Sequence, residues 1–250
     1  MSRAALGALW LCLMTALPVA TAHAMGSDEL PPPVMDRTPY GKFLVDRLEY
    51  GYGLGSGLRA DMMGWFGGDY DRFWLRAEGE MAAPGPFEAE LEVSGGYSRL
   101  VAPFWELQVG LRIDQTFEAT VGPTRGLLAV GIEGTAPYWF DIEVFAYLSH
   151  RLDVSFRAAV SYEFRFTQRL VGQVRLETNI AIQKAEEFGI GRGLNDLELG
   201  FRLRYEVHRR VAPYVGVNWS QRFFEAATLA QAAGGNPTSI VGVAGLRLWF

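Results

Sequence analysis

The stretch Ile240-Val241-Gly242-Val243-Ala244-Gly245-Leu246-Arg247-Leu248-Trp249-Phe250 decides the fold. Taken in steps of two back from Phe250, it gives Leu248, Leu246, Ala244, Gly242 and Ile240, all apolar or small. The intervening set contains Arg247, which a soluble sandwich core accepts poorly because a buried charge needs a partner. Strict alternation closing on an aromatic is the pattern of the last strand of a transmembrane β-barrel. Its apolar face meets lipid and its other face meets a wet lumen. An edge strand of a soluble sheet would alternate in the same way, so the upstream strands carry the decision.

Those strands repeat the pattern. Trp105, Leu107, Val109, Leu111 and Ile113 oppose Glu106, Gln108, Gly110, Arg112 and Asp114. Leu197, Leu199, Phe201, Leu203 and Tyr205 oppose Glu198, Gly200, Arg202, Arg204 and Glu206. Period-two segments predict twelve strands, at about 43–52, 58–67, 71–80, 88–99, 104–117, 125–135, 138–149, 152–164, 169–182, 194–206, 212–222 and 239–250. Most are near the ~9–11 residues that cross a bilayer at a tilt. The expected fold is all-β, a closed antiparallel barrel of the outer-membrane type. An even count places both termini on one side, the periplasmic one.

The start of the chain reads as an export signal. Arg3 precedes a nearly apolar run from Ala4 to Ala20, and Ala22-His23-Ala24 is an A-x-A cleavage site. Residues 1–24 are thus expected to be removed, leaving Met25 first. The one cysteine, Cys12, leaves with them, so neither disulfides nor cysteine metal sites are expected. Residues 25–42 hold Pro31-Pro32-Pro33 and Pro39 and read as a periplasmic arm ahead of a barrel over 43–250. The formal charge is −5, and loss of Arg3 makes the mature chain one unit more negative, which argues against nucleic acid as a partner. The 29 glycines and 13% aromatics suit tight turns and interfacial girdles.

Short turns are expected near Gly68-Asp69-Tyr70, Ala102-Pro103, Ala136-Pro137, Thr167-Gln168 and Val211-Ala212-Pro213, and long loops at 81–87, 118–124, 183–193 and 223–238. An Ala-Pro-aromatic triplet recurs at Ala102-Pro103-Phe104, Ala136-Pro137-Tyr138 and Ala212-Pro213-Tyr214. Its proline can end a strand without leaving a ladder bond unmade.

Several segments then resemble one family. They are Asp46-Arg47-Leu48-Glu49-Tyr50, Trp65-Phe66-Gly67-Gly68-Asp69-Tyr70, Trp74-Leu75-Arg76-Ala77-Glu78-Gly79-Glu80 and Ala136-Pro137-Tyr138-Trp139-Phe140. The longest runs from Gly191-Arg192-Gly193-Leu194-Asn195-Asp196 to Ala212-Pro213-Tyr214-Val215-Gly216-Val217-Asn218-Trp219. Together they resemble the copper resistance protein B family of outer-membrane barrels over about residues 35–250. The resemblance implies copper tolerance at the outer membrane, with copper ion as the weakly bound ligand and a periplasmic copper-binding protein as a candidate partner. Many members carry a Met- and His-rich arm before the barrel. Here the arm offers only Met25 and Met35, and no histidine once His23 is removed.

Thioethers favour Cu(I), while imidazole and carboxylate favour Cu(II). The candidate metal contacts are Met25, Met35, Asp61 and Met63, the last two sharing a lumen face with Trp65. Met63 reads more readily as adaptable apolar filling than as a ligand. His150 and His208 are expected at opposite ends of the barrel, where they cannot form one site. The expected lumen lining includes Arg76, Glu78, Arg112, Glu143, Arg202, Arg204 and Glu206, while Leu75, Leu111, Val144, Leu203 and Tyr205 face lipid. These charges read either as a salt-bridged plug or as a polar path for cations. No G-x-S-x-G, H-E-x-x-H or phosphate loop is present, and the adjacent Ser149 and His150 would point to opposite faces of a strand. No enzymatic activity is expected. A copper-tolerance barrel and a general small-solute porin, or a structural barrel without a metal role, both stay open.

Overall fold

The structure is a computed structural model that describes residues 38–53, 55–83, 87–118 and 120–250. The leader and most of the arm, with Met25 and Met35, lie outside the described residues. Twelve antiparallel strands close into a barrel: β1 (Tyr40–Gly53), β2 (Gly57–Gly67), β3 (Asp71–Ala82), β4 (Glu88–Ala102), β5 (Trp105–Glu118), β6 (Thr120–Ala136), β7 (Phe140–Ser149), β8 (Val154–Arg165), β9 (Leu170–Ala181), β10 (Gly193–Tyr205), β11 (Val211–Arg222) and β12 (Thr238–Trp249). Each pairs with its sequence neighbours, and β1 closes on β12, leaving no open edge. No described helix is long and apolar enough to cross a membrane. The end where β1 begins and β12 finishes is the proximal end here; the opposite end is distal.

The alternation sorts side chains by face. Leu111 is 66% exposed on the outer surface, whereas the Arg112 side chain beside it is 12% exposed. On β12, Ile240 and Leu246 are exposed, while Val241 and Val243 are buried. In the strand that fixed the fold, Arg247 forms ion pairs with Asp46 and Glu163.

Departures from the expected boundaries have local causes. β1 begins at Tyr40, three residues before the expected start of the barrel, because its Tyr40–Leu44 segment pairs with Met63–Gly67 of β2. Residues 118–124, expected as a loop, are mostly strand: β5 and β6 extend to either side of one connecting residue. The register shifts between Gln115 and Phe117, near Pro123. There the Gln115 side-chain amide donates to the carbonyls of Thr116 (2.8 Å) and Gly122 (2.9 Å), filling a gap in the ladder. The triplet Ala136-Pro137-Tyr138 opens a 3-10 turn, Pro137–Trp139, so β7 starts at Phe140 rather than at residue 138. Ala212-Pro213-Tyr214 marks no turn. It lies inside β11, and Pro213 sits just outside the β10 ladder, which begins at Tyr214. The expected loop 223–238 carries a helix, α1 (Phe224–Ala232), formed from an alanine-rich run of high helix propensity. Ala226 and Ala230, one turn apart, are buried. Gly191 lets the 182–192 loop close on α1: a Cβ there would meet the Ala226 nitrogen at 2.5 Å.

Candidate functional site

The lumen is crossed by a web of arginine–carboxylate pairs. Arg157 on β8 reaches Glu78 on β3 (2.7 Å), almost diametrically opposite in a ring of twelve, and also binds Glu92 (3.2 Å) and Glu177 (2.5 Å). Arg76 on β3 spans to Glu143 on β7 (3.1 Å) and to Glu133 on β6 (3.2 Å). Arg175 joins Glu143 (3.3 Å) to Glu177 (3.2 Å), so these groups form one connected chain. Arg59 on β2 binds Glu198 on β10 (2.6 Å) and also pairs with Glu80. Contacts between strands this far apart in a closed barrel can run only through its interior.

The remaining lumen candidates join this web. Arg112 binds Glu92 (2.5 Å) and Asp114 (2.6 Å), and its guanidinium lies 4.7 Å from the Tyr147 ring centre. Arg204 binds Glu163 (3.1 Å), which also takes Arg247 (3.2 Å). Glu206 lies just past the end of β10, half-exposed, and is 3.7 Å from Arg204. Arg76 faces the Phe145 ring, which with Tyr147, Leu127 and Ala129 makes an apolar wall inside the barrel.

The most deeply buried pair joins β10 to β1. Arg202 donates to Glu49 from Nε (2.9 Å) and Nη2 (2.7 Å), with side chains 5% and 3% exposed. Tyr214 on β11 donates its hydroxyl to the same carboxylate (2.9 Å). Close approach demands glycine nearby. A Cβ on Gly245 would lie 2.7 Å from the Tyr214 hydroxyl, and one on Gly200 would lie 2.5 Å from Arg202 Nη1.

Asp61 and Met63 share β2 but line different cavities. Asp61 accepts from Arg47 Nη2 (2.8 Å) and Nε (3.1 Å) and borders a narrow cavity of about 40 Å³. Met63 borders a proximal cavity of about 250 Å³, together with Lys42, Arg72 and Arg76. The donor set therefore does not fit a resident copper centre: the Asp61 carboxylate is occupied by a guanidinium, and the carboxylates that share the cavity of Met63, Glu106 and Glu133, are paired with Arg72 and Arg76. Among the described residues, no group of three or more His, Cys, Asp or Glu could hold a metal ion. His150 stands in the distal β7–β8 turn, against the Gly126 backbone, and His208 in the proximal β10–β11 turn, so the two are at opposite ends.

Asp46 escapes a reading by strict alternation. Asp46 and Arg47 are consecutive yet both pair inside the barrel, because a bulge shifts the β1 register between Val45 and Leu48. Arg72, by contrast, keeps step with Arg76 and Glu78 and binds Glu106 (2.6 Å), while Arg125 and Glu133 keep step with Leu127 and Ala129, whose apolar side chains mask the inward face of β6 in the sequence. Asp153 next to the Leu152 turn lies 3.9 Å from Arg125.

A family model described as copper resistance protein B precursor (CopB) matches residues 39–250, which includes all twelve strands. The chain is 39% identical over 186 residues to copper resistance protein B of Escherichia coli, a match covering 74% of this chain and 61% of that protein. It is 34% identical over 209 residues to the copper resistance protein B homolog of Pseudomonas syringae pv. tomato, covering 83% and 69%. The chain thus spans about three-fifths of the length of the first relative. Among solved structures, the NanC porin aligns with a TM-score of 0.53 at 13% identity, over 82% of this chain and 98% of that one. The KdgM porin aligns with a TM-score of 0.50 at 12% identity, over 84% and 99%. Identities this low carry the barrel fold alone. The family match, by contrast, covers the barrel from its first strand to its last, and the chain belongs to the copper resistance protein B family.

Proposed function

We propose that this protein is an outer-membrane barrel that supports copper tolerance, with copper as a weakly held cargo rather than a resident cofactor. The carrying observation is the cross-lumen web, in which carboxylates such as Glu78, Glu143 and Glu177 are held by arginines. A cation can occupy such a carboxylate only by exchanging with a guanidinium. That exchange keeps binding weak and passage slow, which suits controlled movement of a toxic ion. The same bridging disfavours a general small-solute porin, because a wide water path would leave these charges apart. It does not require any enzymatic step.

In this reading, residues 1–24 direct export and are removed, both termini face the periplasm, and Met25 and Met35 are copper contacts of the arm. Asp61, when released from Arg47, and Met63, on the larger cavity, act as transient contacts along the wall. A periplasmic copper-binding protein would take the ion at the proximal end. The test is a gene deletion in the native host, with growth measured against copper, zinc and small antibiotics, and periplasmic copper measured in parallel. Selective copper sensitivity is the expected result. Unchanged copper tolerance with reduced uptake of unrelated small solutes would overturn the reading in favour of a porin.

A further inference from the structure

Arginines along the lumen are paired with carboxylates, but Arg165, Arg169, Arg209 and Arg210 at the proximal rim are not. Arg165 ends β8 and Arg169 precedes β9, while Arg209 and Arg210 lie in the β10–β11 turn, and all of them are exposed. Among the described residues none of them forms an ion pair. The neighbouring acids are already taken: Glu163 by Arg204 (3.1 Å) and Arg247 (3.2 Å), with Glu206 lying 3.7 Å from Arg204. The chain carries a formal charge of −5, so this sector runs against the charge of the whole.

The backbone that carries these cations is fixed. The Thr167 hydroxyl accepts the N–H groups of Arg169 (3.2 Å) and Leu170 (2.9 Å). His208 and Val211 exchange backbone bonds of 3.2 and 3.1 Å, so Arg209 and Arg210 are the two central residues of a tight hairpin. Neither has a positive φ, so the turn does not select them for backbone shape. The Glu206 N–H donates to the Arg169 carbonyl (2.8 Å) and ties the two turns together, and the Trp249 N–H donates to the Arg210 carbonyl (3.0 Å). Arg165 keeps step with Arg157 and Glu163 on the inward set of β8, and Arg169 with Arg175 and Glu177 on that of β9. Phe166 between them is 59% exposed and meets the Phe164 ring edge-on at 5.3 Å, on the outer wall. The cations thus belong to the mouth of the barrel, and the apolar side chain of the same turn belongs to its lipid side.

We propose that this sector of the proximal rim is a docking surface for an acidic protein segment, a loop or strand presenting several Asp or Glu side chains. Guanidinium groups suit it because each can take a carboxylate in a two-pronged contact. One exposed pair contributes no more than about 1 kcal/mol, so recognition requires several at once. Two turns tied by a backbone bond supply them with little ordering left to do. Their place at the mouth favours a partner in water over a lipid headgroup. The proposal deepens the copper reading by giving the proximal partner an acidic surface, and it rests on that reading only for the partner's cargo.

The test embeds the full chain in phosphatidylcholine nanodiscs and measures binding of fluorescein-labelled decaglutamate by anisotropy, with decaserine as the neutral control and no copper present. Decaglutamate should bind saturably and weaken several-fold as salt rises from about 50 to about 300 mM, while decaserine should not bind. Arg169→Gln/Arg210→Gln should weaken decaglutamate binding by about tenfold or more. Arg192→Gln/Arg222→Gln, at the distal end, removes the same charge and should leave the affinity within about twofold. All of these positions are exposed, so both variants should keep the unfolding midpoint of the parent. No saturable binding to the unaltered protein would overturn the proposal without any variant. Equal weakening by the two variants would show a response to net charge alone and would also overturn it. Mixed phosphatidylcholine and phosphatidylglycerol vesicles supply the last arm. Enrichment of phosphatidylglycerol around the parent but not around Arg169→Gln/Arg210→Gln, with no decaglutamate binding, would assign the arginines to lipid headgroups instead. Because copper is absent throughout, failure here leaves the copper reading standing, and loss of that reading leaves this surface standing.

Discussion

Glu49→Gln removes one charge from the most buried ion pair while keeping the side chain's shape and an acceptor for Tyr214. Arg202 is then left with its charge unmatched and its side chain 5% exposed. Breaking a buried pair from one side costs about 3–5 kcal/mol, because the remaining charge has lost solvent without gaining a partner. Both guanidinium contacts, at 2.9 and 2.7 Å, end on this one carboxylate, so the upper half of that range is expected. The double variant Glu49→Gln/Arg202→Met replaces the charge with an apolar chain that occupies much of the same space. It should recover most of the loss, since replacing a buried pair outright is often nearly neutral. Urea unfolding in lipid vesicles, followed by tryptophan fluorescence, measures all three proteins and the parent. A loss under ~1 kcal/mol for Glu49→Gln would show that lumen water solvates Arg202 and would refute the view of the web as a desolvated seal.

Glu187→Gln breaks a distal pair with Arg151 whose partners are both more than half exposed, and it should change stability by no more than ~0.5 kcal/mol in the same assay. Gly245→Val should cost about 1–3 kcal/mol by driving a side chain into the Tyr214 hydroxyl, and it should add little to the loss already caused by Glu49→Gln. Met63→Leu, nearly volume-conserving, should alter unfolding by less than ~1.5 kcal/mol, and reduced copper tolerance in the host with normal protein levels would identify the thioether as a contact. Ala226→Glu places a charge in the buried seam beneath α1 and should raise proteolysis of the distal 223–237 segment while the barrel stays folded.

Legibility in the sequence followed the regularity of each element. Strands such as β5 and β10 were readable because each alternates without interruption over a long central stretch, Trp105–Asp114 and Leu197–Tyr205, so one register fixes the side chains there. Asp46 was not readable, because two consecutive charges cannot both face inward under period two. Only the bulge in β1 allows it, and Asp46-Arg47 alone carries no distinct bulge signal. The Pro213 segment misled for a related reason: proline ends a strand only where the neighbouring ladder needs its N–H, and here the β10 ladder starts one residue later. The α1 run was hidden by its place between two strands, although its alanines already favour a helix. The proximal cavity lay beyond any sequence reading. It depends on which side chains of β1 to β6 meet inside the barrel, and that is decided by distances between strands rather than by any local pattern.

The web also constrains what can move through the barrel. Arg157 touches three carboxylates on three strands, so displacing it from Glu78 still leaves it bound to Glu92 and Glu177. A cation arriving at Glu78 therefore displaces one contact of several and leaves no charge stranded. Among the described residues Arg202 has a single carboxylate partner, Glu49, and the same exchange there would strand a buried charge. Exchange is thus far less costly along the shared chain Glu78–Arg157–Glu177–Arg175–Glu143 than at the Glu49–Arg202 pair. If ions cross this lumen, they cross along the shared chain, and the isolated pair stays closed as part of the wall. Arg157→Gln should accordingly raise ion conductance through the barrel in planar bilayers, with Arg202→Gln changing stability far more than conductance. Equal conductance changes from the two variants would refute this division of the lumen into a path and a wall.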